Sequence, residues 1–422
     1  MSTSQLENRA GDAGRSGNEH AATGAAGQDG PSSASPLSLH DFYDLDALYT
    51  REERLIRDSV REYVRAEMLP HVGQWWQDGV FPRDLAGKFG AIGALGVTLP
   101  ERYGGAEASY SAYGLVCREI EYVDSGLRSF VSVQSSLVMY PIFRYAADPL
   151  KARWLPRLAS GEAVGCFGLT EPDAGSDPGS MRTRCKKVGA EYVINGVKRW
   201  ITSGSRADVA ILWAKDEDTG EVLGFVVETA GEGFKAVDIK TKASMRASVT
   251  SELYLDDVVV PAGNRLEVVG LKGALSCLNQ ARFGIAFGVL GAAQACFDEA
   301  VAYVADRPVF GQPLASKQLV QADLADMLAE ITKGSLLAYR LGRLKEEGAD
   351  HPARVSLAKR DNVRSALGVA RNARDLLGAN GITTEYSAIR HMLNLETVAT
   401  YEGTDTVHTL VLGRAITGLN AF

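Results

Sequence analysis

The spacing of apolar residues changes twice along this chain and predicts three successive folded segments. From residue 38 to about residue 163, apolar side chains recur every three or four positions, as they do on one face of a helix. Thr50 and Glu53 have the S/T-x-x-E spacing of a capping box, which predicts that a helix begins just after Thr50. We therefore expect an N-terminal α-helical domain over residues 38–163.

Near Gly165 the pattern changes to short runs rich in Val, Ile, Leu and aromatic residues, separated by glycines and acidic turns. Asn195-Gly196 lies between two such runs and is a strong signal for a β-hairpin turn. We expect a small antiparallel β domain over residues 164–272. The runs that predict its strands cover residues 191–194, 197–202, 207–214, 222–228 and 251–260.

Helical spacing returns after about residue 273 and continues to the end of the chain. Long helices joined by short links favour an antiparallel four-helix bundle over residues 273–422. The predicted fold class is therefore α+β, with a middle β domain between two helical ones. The predicted helices of the bundle cover residues 275–303, 316–346, 352–377 and 386–398.

Residues 1–37 differ in composition from the rest of the chain. They are rich in Gly, Ala, Ser, Asn and Gln and have almost no large apolar side chains, so they cannot bury enough surface to fold. They lack the apolar region of a secretory signal and carry several acidic residues, which fits a transit peptide badly. We expect a disordered tail on a cytoplasmic protein.

Composition narrows the class of partner. The net charge of -7 argues against nucleic acid and against an anionic membrane, and no apolar run approaches the length of a membrane span. The five cysteines are scattered without a C-x-x-C pair or a histidine at ligand spacing. They are typical of reduced, mostly buried thiols, and we expect no metal site.

The segment with the most distinctive candidate chemistry lies close to the C-terminus. Glu402 follows one predicted helix, and Gly403 breaks the helical pattern before the next. A carboxylate projecting from such a turn into a dry cavity would be a stronger base near neutral pH. The other interpretation is a surface glutamate before a C-cap glycine, and spacing alone favours it.

Four more places could carry chemistry, and three of them also have an ordinary structural interpretation. Residues 166–177 form a Pro/Gly loop. Its backbone N–H groups could bind carbonyl or phosphate oxygen atoms, or it could be an ordinary surface loop. Trp200 could pack on an aromatic ring or fill a β core. Arg282 could meet a phosphate, and Arg128 could face a substrate acid or simply be solvated.

Taken together, these residues resemble the acyl-CoA dehydrogenase family, and within it the chain is most similar to the glutaryl-CoA dehydrogenases. The resemblance covers about residues 44–422, all but the tail. The motifs that carry it are Asp124-Ser125-Gly126-Leu127-Arg128-Ser129, the loop 166–177, Asn279-Gln280-Ala281-Arg282 and Tyr401-Glu402-Gly403-Thr404.

The resemblance implies that the cofactor is FAD and assigns residues to it by position. The loop contacts flavin, Trp200 to Thr202 pack against the isoalloxazine ring, and Arg307 and Gln318 match positions that hold a neighbouring subunit's FAD. A homotetramer is therefore implied. The positions assigned to FAD are Phe167, Leu169, Thr170, Gly175, Ser176, Trp200, Ile201, Thr202, Arg307, Phe310, Gln318, Asp375, Leu377, Gly378, Ala379, Thr404 and Thr406.

The resemblance also implies the substrate contacts and the reaction. Glu402 matches the base that removes the α-proton of an acyl-CoA thioester, and its backbone N–H matches a donor to the thioester oxygen. Glu121, Arg128 and Ser129 match the group that receives the far carboxylate of a dicarboxylyl-CoA. The positions assigned to the substrate are Glu121, Arg128, Ser129, Ser176, Leu275, Asn279, Arg282, Gly403 and Phe422.

The implied activity is oxidation of glutaryl-CoA with decarboxylation to crotonyl-CoA, in lysine and tryptophan degradation, with an electron-transfer flavoprotein as acceptor. Other interpretations stay open at this point. They are a dehydrogenase for another short or branched acyl-CoA, a dehydrogenase that does not decarboxylate, an oxidase that passes electrons to O2, and a non-enzymatic acyl-CoA-binding protein on the same fold.

Overall fold

The computed structural model describes residues 37–421, and Leu39 begins a compact unit that contains every helix and strand named below. Helical, sheet and helical segments follow one another in it, so the predicted fold class is confirmed. The predicted tail lies outside the described residues except for Leu37. The boundaries predicted between the three domains stay a prediction.

The first helix begins where its capping residues predict. The Thr50 hydroxyl accepts from the Glu53 backbone N–H (3.2 Å), and the Glu53 carboxylate accepts from the Thr50 N–H (2.8 Å). The helices of the N-terminal segment are α1 (Arg51–Glu67), α2 (Leu69–Asp78), α3 (Leu85–Ala91), α4 (Tyr110–Val123), α5 (Ser125–Ser132), α6 (Tyr140–Tyr145) and α7 (Asp148–Ala159).

Asp124 separates α4 from α5. Its extended backbone ends α4, and its carboxylate caps α5 by accepting from the Gly126 N–H at 2.6 Å. The other carboxylate oxygen accepts from Arg390 (2.6 Å) and Asn394 (2.8 Å). The N-terminal end of α5, the helix that carries Arg128, is therefore hydrogen-bonded to α11 (Ala388–Thr400), the helix that precedes Glu402.

The middle segment forms an eight-stranded sheet in the order β6-β7-β3-β2-β4-β5-β8, with β1 paired to β4. Most pairs are antiparallel, and β1 and β2 both lie parallel to β4. The strands are β1 (Gly165–Gly168), β2 (Arg184–Val188), β3 (Glu191–Thr202), β4 (Val209–Asp216), β5 (Val222–Glu228), β6 (Phe234–Asp238), β7 (Thr250–Pro261) and β8 (Arg265–Val269).

The hairpin turn predicted at Asn195-Gly196 is wrong. Both residues lie inside β3, at a shift of register against β7. The Asn195 side-chain amide donates to the Asp257 carboxylate and accepts from the Asp257 backbone N–H, each at 2.8 Å. These hydrogen bonds satisfy the polar groups at the β-bulge. A Cβ on Gly196 would lie 2.4 Å from Thr183, so glycine is needed there for close approach.

The C-terminal segment packs around one long helix, α8, which contacts α4, α9 and α10. The most apolar part of α8 is long enough to cross a membrane, but 78% of that stretch is buried inside the protein, as is usual for a core helix. The elements are α8 (Lys272–Asp306), β9 (Pro308–Val309), β10 (Gln312–Pro313), α9 (Gln318–Glu346), α10 (Pro352–Leu376), α11 (Ala388–Thr400) and α12 (Asp405–Thr417).

Candidate active site

Glu402 lies in the turn between α11 and α12, in a left-handed backbone conformation (φ 52°) that non-glycine residues seldom adopt. The residue is half-buried, and its Oε2 is shut off from solvent and has no hydrogen-bond partner among residues 37–421. Burial raises the pKa of this carboxyl above 4.5, and the cations Arg128, Arg282 and Lys359 offset part of the rise. The structure thus excludes a solvated capping glutamate.

Two cations fix the backbone of this turn. The Arg282 Nε of α8 donates to the Glu402 carbonyl at 2.6 Å. The Lys359 ammonium of α10 donates to the carbonyls of Tyr401 (3.1 Å) and Gly403 (2.8 Å). Three successive carbonyl groups are therefore bonded to positive charge, which holds the strained turn in place.

Arg128 on α5 is fully buried and reaches the same cluster. Its Nε donates to the Glu121 carboxylate at 2.6 Å, and its Nη2 donates to the Tyr401 hydroxyl. Both side chains of the Glu121–Arg128 pair are 0% exposed. Its Nη1 has no hydrogen-bond partner in the described protein. The alternative of a solvated surface arginine is excluded.

The space for this ion pair comes from a glycine on another helix. Gly288 of α8 faces α4, and a Cβ placed there would lie 2.2 Å from the Glu121 Oε2 and 3.1 Å from the Arg128 Nε. The first distance is too short for any real contact, so the Glu121 carboxylate would have to move from its present position, and the second is tight. The absence of a side chain at residue 288 therefore makes room for the buried pair.

Four polar atoms of the predicted substrate site and base are buried without a hydrogen-bond partner within residues 37–421. Each such atom ordinarily costs about 1–3 kcal/mol, so folded proteins seldom leave several of them near one another. Glu121, Arg128 and Glu402 belong to one cluster joined through Tyr401, so three of these atoms lie where a polar ligand could complete their hydrogen bonds. The atoms are Glu121 Oε1, Arg128 Nη1, Asn279 Oδ1 and Glu402 Oε2.

The other predicted substrate residues have the following places. Ser129 is buried beside Arg128, and Gly403 follows the base. Leu275, Asn279 and Arg282 share one face of α8 at spacings of four and three residues. Arg282, which the resemblance placed on the coenzyme A side, donates a hydrogen bond to the Glu402 carbonyl. Ser176 is exposed in its loop, and Phe422 lies outside the described residues.

The predicted flavin loop is anchored by a buried ion pair. The Lys198 ammonium donates to the Glu171 carboxylate (2.9 Å) and to the Leu169 carbonyl (3.1 Å). Glu171 also accepts from the backbone N–H groups of Arg182 (2.6 Å) and Thr183 (3.0 Å). The loop after β1 is thus fixed to β3. Phe167 and Leu169 are buried, Thr170 is half-buried, and Gly175 is exposed.

Trp200 is turned out of the sheet by a second irregularity in β3. The register against β7 shifts between Lys198 and Ile201, and Trp200 has φ 64°. Its indole is 53% exposed, whereas Ile201 is buried and Thr202 half-buried. The sequence left open a core tryptophan, and the structure excludes it. An indole presented in this way fits a planar aromatic cofactor.

A third set of predicted FAD residues collects at one end of the helical bundle. The Asn380 amide donates to the Tyr303 hydroxyl at 3.2 Å and so joins the segment after α10 to the last turns of α8. Phe310, in the turn between β9 and β10, is 95% exposed. Leu377 is buried, and the exposed members of the set are Arg307, Gln318, Asp375, Gly378 and Ala379.

The last two predicted FAD residues follow the base in α12. Thr404 caps this helix by accepting from the Val407 N–H at 3.2 Å, and Thr406 is exposed. The structure therefore brings Glu121, Arg128 and Arg282 together with Glu402. The predicted flavin-binding residues of the sheet form a second group, and those at the end of the helical bundle form a third.

Sequence reasoning missed Lys359, Tyr401, Glu171 and Lys198 as site residues. Lys359 carried a usable signal, because it occupies the buried stripe of α10 between Val355 and Asn362. A lysine on the apolar stripe of an amphipathic helix needs a specific partner. Lys198 likewise points inward from a strand. Tyr401 had no such signal.

Comparison with known proteins identifies the family. Models of the acyl-CoA dehydrogenase N-terminal, middle and C-terminal domains match residues 50–162, 166–258 and 269–417. The short-chain-specific acyl-CoA dehydrogenase of Clostridium acetobutylicum is 33% identical over 377 residues, which span 88% of this chain and 100% of the relative. The chain belongs to the acyl-CoA dehydrogenase family.

Solved structures agree with this assignment. A glutaryl-CoA dehydrogenase from Mycobacterium smegmatis has 51% sequence identity and a TM-score of 0.89, covering 91% of this chain and 99% of that one. A second structure, a glutaryl-CoA dehydrogenase from the same organism in complex with FADH2, has 49% identity, a TM-score of 0.89 and the same coverage. The family and this neighbour identify the cofactor as FAD, and the chain as an FAD-dependent enzyme.

Proposed function

We propose that this enzyme oxidises glutaryl-CoA and releases CO2 to give crotonyl-CoA. The observation that supports this substrate is the buried Arg128: its side chain is 0% exposed, and its Nη1 has no hydrogen-bond partner in the part of the chain that the structure describes. The similarity to glutaryl-CoA dehydrogenases of Mycobacterium smegmatis supports the same substrate.

The electrostatics of Arg128 favour an acidic chain end over a fatty one. Glu121 neutralises the charge through Nε, and Tyr401 occupies Nη2, so Nη1 is the donor left for a ligand. A carboxylate would complete the guanidinium with charge-assisted hydrogen bonds. A methyl terminus would leave that donor desolvated and unpaired, which costs about 1–3 kcal/mol.

Glu402 is the proposed base. Its buried carboxyl has a raised pKa and takes the α-proton of the thioester, and its backbone N–H donates to the thioester oxygen as negative charge develops there. FAD, when bound, supplies the acceptor for the hydride that leaves the β-carbon. Arg128 holds the far carboxylate, so the acyl chain is fixed at both ends with its α-carbon beside Glu402.

Decarboxylation follows from the same arrangement. The oxidised acyl group is an enoyl thioester whose γ-carbon still carries the carboxylate. When CO2 leaves, the electron pair of the broken C–C bond delocalises into the thioester as a dienolate. Protonation of the γ-carbon then gives crotonyl-CoA. The proton that Glu402 took from the α-carbon is available for this step.

We assign the flavin site to the loop 167–176 and to Trp200, Ile201 and Thr202, with Thr404 and Thr406 at the start of α12. The bundle end, from Arg307 to Gln318 and from Asp375 to Ala379, is assigned to the FAD of a neighbouring subunit. The exposure of Phe310 (95%) and Leu319 (82%) supports an apolar contact between subunits of a homotetramer.

An electron-transfer flavoprotein is the proposed acceptor, and the cytoplasm is the proposed compartment. Five free, buried cysteines support a reducing environment. A place in lysine and tryptophan degradation would follow from the substrate.

Product analysis tests the proposal most directly. The purified holoenzyme is incubated with glutaryl-CoA and an artificial electron acceptor. The thioester products are then separated and identified by mass spectrometry. Crotonyl-CoA with one CO2 per turnover is expected. Glutaconyl-CoA alone would identify an enzyme that does not decarboxylate, and hydrogen peroxide formed without the acceptor would identify an oxidase.

The relative from Clostridium acetobutylicum, which is described as short-chain specific, supports one alternative substrate. Butyryl-CoA is therefore the comparison substrate in the same assay. A kcat/KM for butyryl-CoA that equals or exceeds that for glutaryl-CoA would replace the proposed substrate by a short-chain one. A colourless purified protein would remove the enzymatic proposal altogether.

A further inference from the structure

The proposed reaction gives no catalytic role to one buried cation of the Glu402 turn, Lys359, which lies in the middle of α10 and is 1% exposed. An isolated ammonium in a protein interior is costly, and most buried lysines have a carboxylate partner. The recorded hydrogen bonds of Lys359 go instead to two backbone carbonyls, those of Tyr401 and Gly403. These residues flank Glu402 on both sides.

Because the peptide bond has a fixed geometry, these two contacts determine the direction in which the neighbouring backbone N–H groups point. A peptide unit is planar and trans, so its C=O and N–H point in opposite directions. Because the Tyr401 carbonyl is bonded to Lys359, the N–H of the same peptide unit, which belongs to Glu402, points away from Lys359. The hydrogen bond from Lys359 to the Gly403 carbonyl fixes the peptide unit after Gly403 in the same way.

Arg282 completes the arrangement from another helix. Its Nε is bonded to the Glu402 carbonyl, so the peptide unit between the two that Lys359 holds is fixed as well. Glu402 has φ 52°, a conformation that costs about 1–3 kcal/mol and persists only where surrounding contacts impose it. Contacts from α8 and α10 supply that constraint.

We infer that Lys359 is a positioning residue for the base: by holding the carbonyls of Tyr401 and Gly403 it aims both the Glu402 carboxylate and the Glu402 N–H at the substrate thioester. This inference rests on the proposed function, in which Glu402 removes the α-proton. Lys359 touches neither substrate nor cofactor in this assignment, and it acts only through the turn that it holds.

Charge gives the same lysine a second effect on the base. Glu402 faces the cations Arg128, Arg282 and Lys359, and Lys359 in turn faces Asp405. His408, also against this turn, is neutral because burial lowers its pKa to about 3. Burial lowers the pKa of Lys359 to about 7, so the ammonium is charged below that pH and there favours the ionised form of Glu402.

The experiment separates proton removal from electron transfer. The probe is 3-thiaglutaryl-CoA, in which sulfur replaces the β-methylene, so the molecule has α-protons but no β-hydride to give. Holoenzymes of the wild type, Lys359→Met, Lys359→Gln and Lys345→Met are incubated with it in D2O, and deuterium uptake is measured by mass spectrometry. Lys345 is the matched control, because it is a buried lysine paired with Asp350 rather than with the Glu402 turn.

We expect Lys359→Met to lower the exchange rate by about 10²-fold while the flavin absorption band is retained, because a small misplacement of a reacting group has an effect of this size. Below pH 7 the acid limb of its exchange profile should move upward by about one pH unit, because a cation that lowered the pKa of Glu402 is gone. Lys345→Met should exchange at the wild-type rate.

Exchange at the wild-type rate in either folded Lys359 variant would overturn the inference. Failure of both variants to fold would also overturn it, because Lys359 would then be a structural residue. A Glu402→Gln holoenzyme is included to keep the two proposals apart. Wild-type exchange in that variant would reject Glu402 as the base, whereas its loss together with unaffected Lys359 variants would reject only the positioning role.

Discussion

The guanidinium of Arg128 donates a hydrogen bond to the hydroxyl of Tyr401, the residue directly before Glu402. Arg128 belongs to α5, and Tyr401 directly follows α11, so the contact joins residues 273 positions apart in the sequence. It fixes the proposed carboxylate receptor relative to the proposed base. The length of acyl chain that can reach both groups is therefore set by the packing of these two helices.

Replacing Glu402 by glutamine should abolish dehydrogenation without removing the flavin. Glutamine has nearly the same shape but cannot accept the α-proton, and general base catalysis contributes about 10²–10⁴-fold to such reactions. We expect kcat with glutaryl-CoA to fall by at least that range. Steady-state assay measures the loss, and the visible flavin spectrum verifies the cofactor. Wild-type turnover in this variant would disprove the assignment of the base.

The second prediction concerns substrate choice. Arg128→Met should lower kcat/KM for glutaryl-CoA by about 10²-fold or more, because truncating one partner of a buried charge pair costs about 2–5 kcal/mol. The value for butyryl-CoA should change far less. The two substrates are compared in one assay with the same acceptor.

A control is needed because Arg128→Met leaves the Glu121 carboxylate buried without its partner. The double variant Glu121→Gln/Arg128→Met removes both charges and should fold more stably than the single variant. Its preference between the two substrates should match that of Arg128→Met. Equal losses for glutaryl-CoA and butyryl-CoA in both variants would exclude a carboxylate-binding role for Arg128.

The third prediction tests the anchor of the flavin loop. Lys198→Met leaves Glu171 buried without a counter-ion, and breaking such a pair costs about 3–5 kcal/mol. We expect a lower urea midpoint and a lower ratio of FAD to protein after gel filtration. Lys198→Met/Glu171→Gln should recover much of the stability. A single variant with the wild-type midpoint and full flavin content would show that the pair does not hold the loop.

The fourth prediction concerns stability at acid pH. Glu53 is buried, which alone raises its pKa, but hydrogen bonds from Arg343 (2.6 and 3.0 Å), Ser109 (2.7 Å) and Thr50 (2.8 Å) lower it below 4.5 overall. A carboxylate with a depressed native pKa contributes stability that is present above pH 4.5 and is lost as pH falls through the native pKa.

Glu53→Gln should therefore lower the free energy of unfolding by about 1.5–3 kcal/mol near neutral pH. The gap between wild type and variant should close below pH 4.5, where the wild-type carboxyl also takes up a proton. Urea titrations at several pH values measure it. Glu347→Gln removes an exposed pair with Arg340 and should have little effect. A gap that stays constant down to pH 3 would contradict the prediction.

Local rules predicted much of the architecture. The capping box at Thr50 and Glu53 depends only on neighbours within three residues, so it could be identified before any packing was known. The order of helical and β segments followed from the spacing of apolar residues. For Glu402 the local pattern predicted a turn at that position, but spacing alone favoured a solvated side chain.

What the sequence did not predict depends on distant contacts. Asn195-Gly196 has the local chemistry of a turn, but pairing of β3 with β7 continues through it, and Asp257 completes the bulge from the other strand. Lys359 lies 42 residues before Tyr401, and nothing local indicates that the two meet. The cations that offset part of the raised pKa of Glu402 likewise come from three separate helices, α5, α8 and α10.

The missing side chain at Gly288 also bears on how this enzyme could diverge. Glycine and alanine codons differ by one nucleotide, and a methyl group at residue 288 would overlap the Glu121 carboxylate. One point mutation, on a helix that carries neither member of the ion pair, would thus displace the acid receptor while the base and its turn keep their other contacts. Descendants accepting neutral acyl chains could therefore arise without any change at Arg128 itself.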